Sequence, residues 1–476
     1  MRGEYIFCTC VEFLTVLECK VEKKVNTHGR AILYGYISAE EEKLLLNRVM
    51  KAPLEQIYVL DERGEKHCFF TGVVEELKIE VEGEVKKARI SFISGTILLD
   101  LKPNTRVFQD ISMSYNELFR VINQEYSDAQ TFLEEDEAIG EFTVQYEETD
   151  WEFMKRIASR IGTVLIPFFK FGQIRCSIGI IETGQKKELS FSKYSTNNHI
   201  KEYRKEKQMG NSNLIPADAI SYQVTSRELL DLGDSVIFEN HLFYVYEAQS
   251  QLEKGELLHT YLLRTRGAFS CIRKNNKNII GASFDATVLD IKQDKIKVRI
   301  KAEGKQEKES ARWFPFSTIY SSPDGTGWFC MPEIGDHMRL YFPNEIEKNA
   351  YVISAVHEEI PKTTLESYEA NQKQPPRSNP DNKSIMNKYQ KEVELTPTSI
   401  TLTNHKGMMI RLDDEEGIQI ISDKDIKVES TKELSLSSKE ESLSIEGKEE
   451  IKLVQGSTKM ILKDEITVEG AKMKLQ

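Results

Sequence analysis

The chain has 476 residues, 39% of them hydrophobic and 29% charged, with a formal net charge of -12. That length holds about three domains at usual sizes, and the acidic balance excludes nucleic acid as a main partner, because phosphate binding needs a basic surface. No stretch approaches the ~20 apolar residues of a membrane span, and the start, MRGEYIFCTCVEF, lacks the apolar core of a signal peptide.

Residues 1–105 read as strands with polar turns: alternation is clear in Leu77, Ile79 and Val81, and Asp61 to Gly64 and Glu82-Gly83 supply turn chemistry. The segment 106–205 turns helical twice. Ser114 and Glu117 can cap one helix reciprocally. Thr149 and Glu152 form a second capping box ahead of an apolar stripe of Met154, Ile157, Ala158 and Ile161, with Gly162 suited to the C-terminal cap. A strand, TVLIPFF, follows. Strand patterning returns over 206–275, where HLFYVYEAQSQL from His241 loosely echoes HCFFTGVVEEL from His67, which is compatible with two similar units in one chain, each a meandering barrel or sandwich.

Residues 283–357 fit a small five-stranded barrel of the oligonucleotide/oligosaccharide-binding (OB) type. Its aromatics, Trp313, Phe314, Phe316, Trp328 and Phe329, lack the interleaved Lys and Arg of a single-strand binder, so they are expected to pack a core. The Pro-, Asn- and Ser-rich segment 358–398 reads as a linker.

From 399 to 476, apolar pairs one residue apart recur about every eight residues, among them Ile418/Ile420, Ile426/Val428, Leu434/Leu436 and Ile451/Leu453. Each period gives one short strand with two side chains pointing the same way. A single-chain solenoid spends about 20 or more residues per coil, so the short step points to three chains, each contributing one wall of an intertwined prism. These pairs are the expected core of a homotrimeric, triple-stranded β-helix, and the fold class is mainly β with a small α+β insertion.

The seven cysteines have no regular spacing and read as reduced strand residues; Cys8-x-Cys10 is too tight for a zinc knuckle. The eight histidines show no ligand spacing, and the sequence contains no HExxH, GxSxG, phosphate-loop or dinucleotide-binding pattern. The acidic runs Glu134–Glu137 and Asp413–Glu416 are expected to be solvated loop charge. No catalytic residue, metal or cofactor is expected, and the chain is not expected to be an enzyme.

Four stretches in this order resemble VgrG and the fused hub-spike proteins of contractile phage tails, R-type bacteriocins and type VI secretion systems: GEFTVQYEETDWEFMKRIASRIG from 140, WFCMPEIGDHMRLYF from 328, MIRLDDEEGIQIISDKDIKV from 409, and the repeat behind it. The resemblance implies a hub of two related barrels that, three times over, faces a hexameric Hcp-like tube. It also implies baseplate partners and possible effectors, and a chain assembled in the cytoplasm and expelled in a contractile particle. The family's muramidase-like insert is missing between barrel and repeat, and the end lacks the His-x-His that binds iron at some family tips. Met473, Leu475 and Gln476 are therefore the expected seat of a separate PAAR-like tip protein. The alternatives are a cell-wall-degrading tail-tip enzyme and a receptor-binding fibre or adhesin.

Overall fold

The computed structural model describes residues 5–51, 53–60, 64–182, 184, 186–211, 214–303, 308–353, 379–464, 466–469 and 472, and the chain divides into two units, 1–357 and 358–476.

The first unit opens with β1 (Ile6–Cys8), β2 (Thr15–Lys24) and β3 (Arg30–Ile37), followed by helix α1 (Ala39–Val49), then β4 (Glu55–Leu60), β5 (Lys66–Glu82) and β6 (Val85–Ser94). Alternation in β3 buries Ala31, Leu33, Gly35 and Ile37 while Arg30, Ile32, Tyr34 and Tyr36 reach outward. Helix α1 interrupts the all-strand reading of this region. The Ser38 hydroxyl caps it by accepting from the Glu41 N–H at 3.1 Å. Only Leu45 of the helix is buried, so its apolar period is weak in the sequence.

The insertion holds β7 (Pro103–Phe108), α2 (Tyr115–Asn123), β8 (Gln130–Leu133), β9 (Thr143–Thr149), α3 (Asp150–Ile161), β10 (Leu165–Phe168) and β11 (Arg175–Ile178). Both capping boxes are formed, and Gly162 closes α3 with φ 86°, a left-handed conformation that glycine adopts without a Cβ clash. Met154, Ile157 and Ala158 are buried as the stripe predicts, whereas Ile161 is exposed. A boundary at 105 cuts through β7, which pairs with β9 and belongs to the insertion.

A second strand-rich half contains β12 (Lys187–Glu188), β13 (Lys193–Asn198), helix α4 (Ile200–Gln208), β14 (Ile220–Ser226), β15 (Ser235–Phe238), β16 (His241–Glu253) and β17 (Glu256–Arg264). Strands β12 and β13 pair with β15 and β14, so this half starts near 187 and not at 206. The echo between His67 and His241 is structural. Strand β5 pairs first with β4 and then with β6, across a bulge between Val74 and Glu76; β16 pairs with β15 and with β17, across a bulge between Val245 and Glu247.

The two halves are not separate barrels. Lys20–Lys24 of β2 pairs antiparallel with Glu247–Gln251 of β16, joining both into one twelve-stranded sheet over a shared apolar core. Among the described residues no strand pairing closes either half on itself. At Gly72, where β5 passes from β4 to β6, a Cβ would lie 2.2 Å from the Ile93 carbonyl oxygen, so the crossing needs glycine.

The third part of this unit is a five-stranded sheet of β18 (Ser283–Lys292), β19 (Lys295–Ile300), β20 (Trp313–Pro315), β21 (His337–Tyr341) and β22 (Tyr351–Ile353), in the order β20-β19-β18-β21-β22. Its two edges meet at one bridge, Phe316 to Val352, beside a 2.8 Å bond from the Ser317 N–H to the Val352 carbonyl. Phe314 is buried, but Trp328 and Phe329 are 51% and 77% exposed, against the expectation of core packing. They follow a hairpin outside the sheet, held by the Ser321–Gly327 bridge and by the Trp328 N–H on the Tyr320 carbonyl.

The second unit consists of β23 (Lys383–Met386), β24 (Glu392–Leu395), β25 (Ser399–Thr403), β26 (Met409–Asp413) and β27 (Gly417–Ile421) in one antiparallel meander, and β28 (Ile451–Gln455), β29 (Thr458–Leu462) and β30 (Ile466–Glu469) in another. Two of these strands lie within 358–398, so the linker reading fails from 383 onward. Lys383–Met386 and Glu392–Leu395 alternate, yet Pro, Asn and Lys around them dilute the pattern.

Candidate functional site: an uncovered apolar face on the C-terminal strands

Residues directly opposite one another in an antiparallel sheet share a face. Registers put Ile385, Val393, Leu402, Ile410 and Ile420 in one cross-strand row, and Leu395, Ile400, Leu412 and Ile418 in the next. Nine apolar side chains therefore carpet one face, and their exposures run from 37% to 72%. The opposite face carries Glu392, Glu394, Thr401, Thr403, Arg411, Asp413 and Gln419, with Met386, Met409 and Ile421 in its outermost row. Period-two patterning has sorted the strands as it does in any one-sided sheet, but no second layer within the described residues covers the apolar side. Burying the exposed half of nine such side chains is worth about 7–13 kcal/mol per chain as a gross upper bound, at ~1.5–3 kcal/mol for each full burial.

Beyond β27 the pattern changes. Residues 422–450 form no strand with the described part of their own chain, while Ile426, Val428, Leu434, Leu436, Leu443 and Ile445 stay exposed. The corners between these pairs are built alike. The hydroxyls of Ser422, Ser430 and Ser438 accept from the backbone N–H of Lys424, Lys432 and Glu441 at 3.1, 3.4 and 3.3 Å. The eight-residue step is thus a repeat of serine-capped bends joined by segments that form no strand with the described residues of their own chain and leave their apolar side chains exposed.

Of the residues read as the spike core, Ile418 and Ile420 lie on the carpeted face. Ile426, Val428, Leu434 and Leu436 lie in the strandless stretch, and Ile451 and Leu453 lie on β28 opposite Leu462 and Met460. A single chain buries none of them. Met473, Leu475 and Gln476 fall outside the described residues.

Sequence reasoning missed a charged lock within the first unit. The Glu347 carboxylate, beside β22, accepts from Arg156 Nη1 at 3.0 Å, Arg160 Nη2 at 2.8 Å and the Val144 N–H at 3.1 Å. Arg156 also holds Glu148 through Nε at 2.8 Å and Nη2 at 2.8 Å. Arg156, Glu148 and Glu347 are all buried. Burial pushes the Arg156 guanidinium down, and the facing charges of Glu347 and Glu148 outweigh that and leave it above its ordinary value. Burial dominates at Glu148, which is raised despite Arg156. Below the lock the apolar cores are continuous, with Val107, Phe142 and Val144 of the insertion packing among Phe314, Leu340 and Phe342 of the five-stranded sheet. The available signal was Arg156 and Arg160 one helical turn apart, flanking the apolar stripe of α3.

The acidic runs have structural work. Glu134 Oε2 accepts from Arg266 at 2.6 Å, and Asp136 Oδ1 from the Asn116 N–H at 3.1 Å. The N–H groups of Glu416 and Glu415 hold the Asp413 carboxyl below its usual range. Among the described residues no group of three His, Cys, Asp or Glu side chains is placed to hold a metal ion, and no helix is long and apolar enough to cross a membrane.

With this geometry in hand, residues 284–357 match the family model of the type VI secretion system/phage-baseplate injector OB domain. The matched residues take in all five strands β18–β22, so that part of the chain is similar to an OB domain. The structure of a Francisella PdpA–VgrG complex in its lidded form is similar to this chain with TM-score 0.53 and 11% identity, over 86% of this chain and 76% of that one. The lidless PdpA–VgrG complex gives TM-score 0.52 and 10% identity, over 85% and 93%. The E. coli c3393 protein, described as a component of the type VI secretion system, gives TM-score 0.49 and 11% identity, over 74% of this chain and 99% of that one. No curated protein matches. The two PdpA–VgrG complexes share their fold with this chain, in which Glu347 locks the five-stranded OB sheet to the insertion.

Proposed function

We propose that this chain is the hub and spike of a contractile injection system, a homotrimer that caps the inner tube and is driven through a target envelope when a sheath contracts. The observation that carries the reading is the C-terminal unit: nine apolar side chains uncovered on one sheet face, then serine-cornered segments that present apolar pairs every eight residues and find no strand partner among the described residues of their own chain. Two further copies supply both what covers the face and what pairs the backbone. A closed three-chain rod has no free sheet edges along its length, and it can carry axial force. The injector OB domain and the VgrG-like fold support the placement in such a machine.

In this reading the hub faces a hexameric Hcp-like tube and baseplate proteins, and the far end takes a PAAR-like tip protein through Met473, Leu475 and Gln476. Effectors travel on the assembly, no cofactor is needed, and the chain is not an enzyme. It is made in the cytoplasm and expelled with the particle. Light scattering on the purified full-length chain tests the assembly, with a mass three times the 54.8 kDa protomer expected. A folded, stable monomer sinks the reading. Clearing of purified cell walls by the same preparation would replace it with a hydrolase.

A further inference from the structure

We propose that Cys8 and Cys10 form an oxidisable dithiol site, in which Cys8 exchanges with a small-molecule disulfide and Cys10 resolves the adduct into an intrachain Cys8–Cys10 bridge. The two sulfurs lie 3.1 Å apart, in hydrogen-bond contact. Residues two apart on a fully extended strand sit about 6.6–6.8 Å from each other, at the far end of the ~4.4–6.8 Å over which disulfides join Cα atoms. Here β1 ends at Cys8 and the chain bends at Thr9 and Cys10, which shortens that span. The bend is anchored: the Thr9 N–H donates to the Gln56 carbonyl at 3.0 Å, and the Thr9 hydroxyl bonds Glu55.

The two thiols differ in access. Cys8 is half-buried and lines an open cavity of about 990 Å³ together with Thr9, Leu14 and Arg48, which is room for a tripeptide disulfide to approach. Cys10 lies behind it at 1% exposure. Its hydrogen bond to Cys8, then burial, raises the Cys10 thiol above its ordinary value, which disfavours the Cys10 thiolate. This division matches what exchange needs, an accessible attacking sulfur and a shielded resolving one. Cys19, the next thiol along the chain, is fully buried, and burial pushes it up to about 12, which leaves it out of the reaction.

The reaction balances. The Cys8 thiolate attacks one sulfur of the small-molecule disulfide, forming a mixed disulfide and releasing one thiolate. Cys10 then loses its proton to water and attacks the Cys8 sulfur, releasing the second thiolate, which takes a proton. Two protein thiols are oxidised to a disulfide, and one external disulfide is reduced to two thiols. Passage from a reducing cytoplasm to an oxidising exterior, which rests on the expulsion proposed above, would expose the pair to such an oxidant. The chemistry itself does not depend on that reading, nor on the oligomeric state.

The test uses the folded full-length chain and oxidised glutathione, followed by alkylation under native conditions, then unfolding with a second alkylating label, both without reduction. The tryptic peptide from Gly3 to Lys20 holds Cys8, Cys10 and Cys19, and fragmentation places each label. The expected product is lighter by two hydrogens, with neither label on Cys8 or Cys10 and the second label on Cys19. Cys10→Ser is expected to stop at a glutathione adduct on Cys8, and Cys8→Ser to leave Cys10 unmodified. The proposal is overturned if Cys8 and Cys10 of the oxidised wild-type chain both take up label as in the reduced chain, if the bridge forms to Cys19, or if Cys10→Ser gathers no adduct on Cys8.

Discussion

Replacing Glu347 with Ala removes the acceptor shared by Arg156, Arg160 and the Val144 N–H. Arg156 keeps Glu148, but Arg160 retains only the Thr143 hydroxyl, and a buried backbone donor is left without a partner. Breaking one side of a buried ion pair costs about 3–5 kcal/mol, of which the stranded N–H is worth about 1–3 kcal/mol. Because the lock bridges the insertion and the five-stranded OB sheet, the loss falls on their docking. Native-state hydrogen exchange at Val144 reads it locally, and at about 1.4 kcal/mol per tenfold, protection there is expected to fall by roughly two to three orders of magnitude. Glu347→Gln keeps an acceptor and is expected to cost less, and combining Glu347→Ala with Arg160→Ala is expected to cost less than the sum of the two, because each removes the same pair. Protection at Val144 within threefold of wild type in Glu347→Ala would refute the argument, since the carboxylate would then behave as a surface charge.

Other outcomes follow from single residues. His259 is buried, its Nδ1 faces the Ser250 hydroxyl at 2.7 Å, its Nε2 has no hydrogen-bond partner among the described residues, and burial lowers it to about 3. The unfolded chain therefore takes up this proton near pH 6.5 while the folded chain does not. Stability is expected to fall between about pH 6.5 and 3, by up to about 4–5 kcal/mol, and denaturation midpoints should show a shallower fall in His259→Gln. Gly72→Ala drives a Cβ into the Ile93 carbonyl and is expected to cost about 1–3 kcal/mol in thermal unfolding, whereas Gly172→Ala, whose Cβ meets only the Gln56 side chain, is expected to cost less than 1 kcal/mol or so. Leu412→Lys, placing a charge in the middle of the apolar face, is expected to lower the assembled mass in light scattering. Gln419→Lys, on the opposite face, should leave that mass unchanged.

Much of the organisation was legible because it rests on local chemistry. Capping boxes at Ser114 and Thr149 and the αL glycine Gly162 act within one turn, so sequence spacing sufficed. Period-two alternation placed Ile418 and Ile420 on one face for the same reason. Helix α1 escaped notice because it buries a single leucine, and strands β23 and β24 because polar residues dilute their short alternations.

The sequence by itself determined that the chain is mainly β, that its end repeats every eight residues with apolar pairs on one side, and that the His67 and His241 segments are related. These follow from backbone periodicity and cap chemistry, which need no knowledge of distant residues. Only the tertiary structure decided that the two strand-rich halves share one sheet through β2 and β16, that Trp328 and Phe329 face solvent, and that Glu347 gathers Arg156 and Arg160 from 191 and 187 residues away in the chain. Each of those depends on which surfaces meet once the chain is folded. Buried charge and long-range pairing leave no period in the sequence, because their partners are chosen by proximity in space.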